Sequence, residues 1–443
     1  MRHATCIKGT AAIAVLVMLA STSPTRGEEL VPGDVLSREN WQRAKDLMPP
    51  EILRHYEQGE YANPVVRMET GSQHWSKGFV EATQRNAGTL TLDENGAIIE
   101  KGTGKKPSYI EGFPFPSVTV DDPQAGIKIL WNTYADVWNN GSFHNTVQIH
   151  WVSTKGLERS ATQEVYYLYY QGQPRQYIPA HNPDDLLVQF LSITVEPADL
   201  NGTTALNWRY RASEKRDSVW AFVPALRRVR AISPANRSDG FLGSDMSEDD
   251  GPFFDGKLED FTWKLVGEQD VLRLVDPFNL RGECHDRPLP GGGWRGIFQR
   301  VPLVGFQDPS WKGLPWAPVN LALARRRCWI VEGTPKDPYY LYGKIQLYID
   351  KEIYQGAYNR KFDWRGELVN TYTVFAALNA PHGEEGDYYS NACVVYQGAE
   401  NIKASRATVV TPPPLEGKEP PNDRRIKPDP HFFSSDSLVR FGK

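Results

Sequence analysis

The stretch from Asp217 to Asp270, DSVWAFVPALRRVRAISPANRSDGFLGSDMSEDDGPFFDGKLEDFTWKLVGEQD, constrains the fold most. It joins an aromatic strand-like run, a basic strand end, an acidic loop and a second aromatic run. Val219-Trp220-Ala221-Phe222-Val223 lacks strict alternation and is bounded by polar residues, the pattern of a strand buried on both faces. Pro224 stops the ladder because it has no N–H to donate. Arg227, Arg228 and Arg230 follow, and Asp239, Asp245, Glu248, Asp249 and Asp250 come within a loop's length of them. The expectation is two walls of a curved sheet joined by a long loop, with the three arginines anchoring the loop's carboxylates. Contact with a ligand head group or a partner is their second use, since guanidinium suits phosphate and carboxylate.

The rest of the chain agrees with such a sheet. At 443 residues it can bury a large core, and 37 Gly, 33 Pro and 12% aromatic residues suit many short strands joined by turns. A net charge of -4 gives no basic excess for nucleic acid.

The N-terminus carries Arg2, His3 and Lys8, then an apolar run from Thr10 to Ala20, then small and polar residues to Gly27, which is the layout of a cleaved secretory signal. Export leaves Cys284, Cys328 and Cys393. Cys328 and Cys393 both sit in strand-like runs and are the favoured disulfide pair, with three free thiols as the alternative. Cys284-His285-Asp286 has no second ligand pair at zinc-like spacing, so no metal is expected.

Ser37 is placed to cap a helix from Arg38 to Met48, and Pro49-Pro50 to start a second one that Gly59 ends. Asp122 to Trp138 carries Ile127, Leu130, Trp131 and Tyr134 at helical spacing. These helices either pack on the sheet or cover a cavity. Asp93-Glu94-Asn95-Gly96 reads as a hairpin turn. Strand-like runs follow at Thr146–Ser153, Glu164–Gln171, Leu187–Val195 and Leu206–Ala212, and again after Thr262, at Cys328–Glu332, Tyr339–Ile349, Ile353–Asn359, Val369–Leu378 and Ala392–Tyr396. Residues 1–27 read as the signal, 28–410 as one β domain with N-terminal helices, and 411–443 as a Pro-rich linker and short terminal helix.

No nucleophile motif, zinc motif or dinucleotide fingerprint is present, and the nine histidines are scattered. Gly291-Gly292-Gly293 lacks the Lys-Ser/Thr pair of a phosphate loop. Asp239 to Asp250 lacks the ligand spacing of a calcium loop. Paired carboxylates for hydrolysis of a polysaccharide are a matter of three-dimensional separation, so a secreted hydrolase of polysaccharide or lipid stays open, as does a structural envelope protein without a ligand.

The blocks VWAFVPALRRVRAISPANRSDGF, DDGPFFDGKLEDFTWKLVGEQD, WIVEGTPKDPYYLYGKIQLYIDKE and WRGELVN resemble, in order, those of domain-of-unknown-function family 1329. PGDVLSRENWQRAKDLMPPEIL, EGFPFPSVTVDDPQAGIKILWN and FFSSDSLVRFGK extend the resemblance over nearly all of the mature chain. Val229-Arg230-Ala231 departs from the family's longer basic run. The resemblance implies a periplasmic protein, with outer-membrane association as an added expectation, and a mainly β fold like the LolA and LolB lipoprotein-sorting carriers. That fold is an incomplete antiparallel β-barrel around an apolar cavity, covered by helices. It also implies a lipid or other hydrophobic ligand, an inner-membrane transporter of the resistance-nodulation-division type as partner, and neither catalytic residues nor a cofactor.

In that picture Tyr166, Leu168, Tyr170, Val219, Trp220, Phe222, Trp263 and Leu265 form the cavity wall. Exposing an acyl chain of about sixteen carbons costs about 12 kcal/mol at about 0.8 kcal/mol per methylene, a cost that a closed apolar pocket removes.

Overall fold

A computed structural model describes residues 29–69, 75–233, 237–277, 286–297, 300–377, 393–415 and 420–441. The expected signal segment lies outside them. Among the described residues no helix is long and apolar enough to cross a membrane.

In chain order the strands are β1 Val35–Leu36, β2 Asn63–Val66, β3 Leu90–Leu92, β4 Ile98–Glu100, β5 Phe143–Ser153, β6 Gly156–Tyr169, β7 Leu186–Glu196, β8 Thr204–Tyr210, β9 Ser218–Val223 and β10 Arg228–Ile232. They continue as β11 Phe261–Val275, β12 Asp286–Pro288, β13 Trp294–Gly296, β14 Ala322–Pro335, β15 Lys344–Asp350, β16 Gly356–Phe362, β17 Leu368–Ala377, β18 Cys393–Asn401, β19 Arg406–Thr411 and β20 Asn422–Arg424. The helices are α1 Pro50–Gln58, α2 Lys77–Asn86, α3 Ala125–Asn139 and α4 Ser435–Phe441.

One 18-stranded sheet dominates. Its main ladder runs antiparallel in the order β10-β9-β8-β7-β6-β5-β19-β18-β17-β16-β15-β14-β11. The short β2 joins β14 in parallel, so the sheet is mixed. β10 and β11 are consecutive in sequence yet stand at opposite edges, so the large curved sheet stays open. The segment joining them crosses from one edge to the other. The stretch from Asp217 to Asp270 therefore supplies both edges of the sheet and their connection.

Strand parity divides the wall into two buried faces, because successive side chains point to opposite sides. On the inner face, Trp329, Val331, Leu347 and Tyr372 pack against α3 through Ile129, Leu130 and Tyr134. Gly126 lets α3 come this close, since a Cβ there would stand 3.0 Å from the Lys264 backbone. On the outer face, Cys328, Ile330, Tyr358 and Val409 pack under Ile52, Leu53 and Tyr56 of α1. The outer face of β6–β9 is covered by the C-terminal tail, where Phe433 and Leu438 meet Leu168, Leu191, Leu206 and Phe222.

α1 follows its sequence signals, with Pro50 in its first turn and Gly59 as a left-handed cap at φ 74°. The helix expected from Arg38 to Met48 is instead one 3₁₀ turn, Trp41–Ala44. Asp46 has φ 67°, and Leu47 O accepts from Leu272 N at 2.6 Å, so the chain here is drawn along the edge of β11. α2 and β19 carry no expectation from the sequence. Within the tail expected as linker and helix, β20 pairs with β5 and β13, and Asp423 and Arg424 are buried.

Cys328 is a free, buried thiol. β15, β16 and β17 lie between its strand and that of Cys393 in the ladder, and neighbouring strands stand about 4.8 Å apart, so the expected bridge is not formed. The side chain of Cys393 lies outside the described residues, as does Cys284.

Candidate functional site

The inner face of β5–β9 is the part of the sheet that α3 leaves uncovered, and a cavity of about 200 Å³ lies against it. Its floor is built of cross-strand rows. Phe143, Tyr167, Phe190, Asn207 and Val219 stand opposite one another along the first row. Asn145, Val165, Ser192 and Ala205 form the second, and Val147 with Gln163 begins the third. The rings of Phe143 and Tyr167 stack at 4.6 Å, and those of Tyr167 and Phe190 are 4.8 Å apart. Val137 and Asn140, at the C-terminal end of α3, close one side.

The roof is the acidic loop between β10 and β11. Phe241, Ser244, Met246, Ser247, Glu248, Gly251 and Pro252 line the cavity from it. Phe241 N donates to Met246 O at 2.9 Å, and Gly240 bridges Ser247, which folds the loop back on itself. Side chains from distant strands then tie it down. Arg406 on β19 reaches Asp245 at 2.9 Å, and Lys361 on β16 reaches Asp250 at 2.5 Å. The hydroxyls of Tyr340 and Tyr372 donate to Asp249 at 2.8 Å and to Gly251 O at 2.9 Å.

At the end of the roof lies a buried ionic cluster. Arg237 meets Asp249 at 2.5 Å, Asp255 at 3.2 Å and Asp217 at 3.5 Å, one carboxylate for each of its three nitrogens. Arg209 pairs with Asp217 at 2.9 Å. Burial works against these charges but does not decide them all alike. Asp217 is held below the usual carboxylate range, because Arg209 and Arg237 outweigh its burial. Burial prevails at Asp255 and pushes its carboxyl up in spite of the same two arginines. It also pushes up Asp250 against Lys361, and Glu248 against Arg237.

The loop carboxylates are thus anchored by Arg237, Arg406 and Lys361. Arg227, Arg228 and Arg230, expected in that role, are exposed, Arg227 in the turn before edge strand β10 and the other two on it, and no ion pair among the described residues includes them. A hairpin with β9 carries them away from the loop. The true anchors are single basic residues in separate segments. The one signal for them was a lone cation inside a strand-like run, as with Lys361 in YNRKF.

Of the residues expected in the cavity wall, Val219 lines the cavity. Tyr166, Leu168, Tyr170, Trp220 and Phe222 point to the outer face under the terminal segment, where Tyr166 meets Phe432 at 4.9 Å. Trp263 and Leu265 face inward but belong to the cluster filled by α3. In the EVYYLYY run the wall residues are Val165 and Tyr167, one position out of step with the expected set. Both faces of β6 are apolar because the tail covers the outer one, so composition does not mark which face looks inward.

An open β wall, a cavity on its inner face and a salt-bridged roof define a cavity-bearing β protein. The family model described as "Protein of unknown function (DUF1329)" matches residues 35–285 and 316–438, and the chain belongs to that family. It is similar to the uncharacterized protein PA3922 of Pseudomonas aeruginosa, 23% identical over 349 residues that cover 75% of this chain and 67% of that one. Among solved structures, a DUF1329 family protein from Desulfovibrio piger is 17% identical, with a TM-score of 0.46 over 73% of this chain and 100% of that one. The LolA superfamily protein NE2245 from Nitrosomonas europaea is 12% identical, with a TM-score of 0.40 over 72% of this chain and 100% of that one.

Proposed function

We propose that this protein is an exported, periplasmic carrier that holds a lipid or other hydrophobic molecule between the inner face of β5–β9 and the acidic loop. The observation that carries the reading is the cavity itself. Phe143, Val147, Val165, Phe190 and Val219 line it from the floor and Phe241 and Met246 from the roof, while the rest of the inner face is filled by α3. Apolar side chains left around open space lose the packing that fills protein interiors, and an apolar ligand restores it. The roof is a loop rather than a strand, so entry needs no strand to leave the sheet. The serines of the cavity, Ser192, Ser244 and Ser247, have no histidine or cysteine among the described lining residues, which favours holding a ligand over transforming one. Handover to an inner-membrane transporter of the resistance-nodulation-division type, as the family resemblance implies, completes the reading.

The test is binding of the neutral fluorophore N-phenyl-1-naphthylamine to the mature chain and to Ala205→Trp, whose indole would occupy the middle of the floor. The expected result is saturable binding that weakens at least tenfold in the variant while thermal unfolding stays cooperative. Equal binding by a folded Ala205→Trp protein, or no binding by the unaltered chain, would overturn the proposal.

A further inference from the structure

The polar groups of this cavity are unequal in what they offer a ligand. Arg237, its cation beside the roof, has every nitrogen engaged by Asp249, Asp255 or Asp217. Arg424 is likewise paired with Asp286 at 3.3 Å. Arg237 therefore presents no free donor to an anionic head group.

The acceptors are in the opposite condition. Glu248 lines the cavity and has no ion pair among the described residues. Asn140 is only 4% exposed, and its Oδ1 has no hydrogen-bond partner. The orientation of that amide is fixed, because Nδ2 donates to Asp136 O at 3.2 Å and Val137 O at 3.1 Å. Asn207 Oδ1, on the floor, also stands without a partner. A buried acceptor without a donor costs about 1–3 kcal/mol, which a hydrogen-bonding ligand recovers. The local charge points the same way, since Arg209 and Arg237 face Asp217, Glu248, Asp249 and Asp255.

Resting on the carrier reading, the geometry points to a cationic, hydrogen-bond-donating amphiphile as the ligand: an aliphatic chain along the Phe143–Val219 row with an ammonium head at Glu248 and Asn140. Glu248 supplies the opposite charge and Asn140 Oδ1 a second acceptor. A fatty acid would instead bring its carboxylate beside the Glu248 carboxylate, with Arg237 already taken by three carboxylates.

The experiment compares three ligands of one chain length, dodecylammonium, dodecanol and dodecanoate, as displacers of N-phenyl-1-naphthylamine from the mature chain, below their micelle concentrations. Dodecylammonium is expected to displace the probe at least tenfold more tightly than dodecanoate, with dodecanol between them. Glu248→Gln should cut the advantage of dodecylammonium over dodecanol at least fivefold. Dodecanoate binding as tightly as dodecylammonium in the unaltered chain, or an unchanged preference in a folded Glu248→Gln protein, would overturn the head-group assignment while the carrier reading stands. Failure of all three ligands and of the probe to bind would overturn both.

Discussion

Replacing Lys361 with Met tests how the roof is held. Lys361 Nζ and Asp250 Oδ1 are 2.5 Å apart, with side chains only 2% and 1% exposed. The methionine keeps most of the volume and removes the cation. Removing one member of a buried pair costs about 3–5 kcal/mol, because the other charge is left in a poorly solvated site. Asp250 keeps one compensation, the Ser247 N–H that donates to its Oδ2 at 2.7 Å, which places the expected loss near about 3 kcal/mol at neutral pH.

The loss should depend on pH in a particular direction. Burial already pushes the Asp250 carboxyl up, and Lys361 is the first influence opposing that rise. Without the cation the folded carboxyl takes up a proton at higher pH than the unfolded one. The folded state then binds more protons than the unfolded state, so stability rises as pH falls through the raised value. Urea unfolding followed by tryptophan fluorescence at about pH 7.5 and about pH 5 should show the deficit shrinking at the lower pH. Lys361→Met with Asp250→Asn should recover part of it at both. A deficit below about 1 kcal/mol, or one independent of pH, would refute the claim that this pair is a buried ionic tie.

Other expectations follow from the packing. Gly126→Ala would put a methyl 3.0 Å from the Lys264 backbone, so α3 must shift from β11 at a cost of about 1–3 kcal/mol in urea melts. Phe433→Ala should cost about 3–5 kcal/mol, because the tail then covers Leu168 and Leu206 poorly, and should raise binding of an external hydrophobic dye. His55, buried between Glu60 at 2.7 Å and Glu400 at 2.5 Å, is desolvated but raised above its ordinary value of 6.5 by those carboxylates, Glu400 first. Its contribution is therefore complete below about pH 6.5 and is lost as pH climbs through the raised value, a slope that His55→Gln should flatten. Cys328, buried and free, should resist thiol reagents until the chain unfolds.

The elements most visible in the sequence were those whose signals are local. Pro50 and Gly59 bracket α1, Asp93 to Gly96 makes the turn between β3 and β4, and the apolar spacing of Ile127, Leu130 and Tyr134 marks α3. What stayed hidden depends on long-range partners. Whether Tyr166 or Tyr167 looks into the cavity is decided by Phe432 and Phe433, which lie more than 260 positions later in the chain. The Arg38–Met48 segment has a helical pattern but is captured by the edge of β11 through Leu47. The acidic loop is conspicuous for its charge, yet its anchors are Lys361 on β16, Arg406 on β19 and Arg237, each a single basic residue without a motif.

That arrangement explains why an acidic loop roofs an apolar cavity. A roof made cohesive by its own apolar side chains would collapse onto the floor and fill the space between them, since burial of apolar area rewards contact wherever it occurs. Here the loop's position is set by directional bonds to elements outside the cavity, Lys361, Arg406, Tyr340 and Tyr372, which hold it at fixed distances from the sheet. Phe241 and Met246 pack against the cluster of Ile149 and Val410, which also line the cavity, and the open space lies beside that contact. Of the two ion pairs that tie the loop to β16 and β19, the one made by Arg406, whose side chain is 47% exposed, is the one that water reaches more readily, and the one made by Lys361, 2% exposed, is sealed from it.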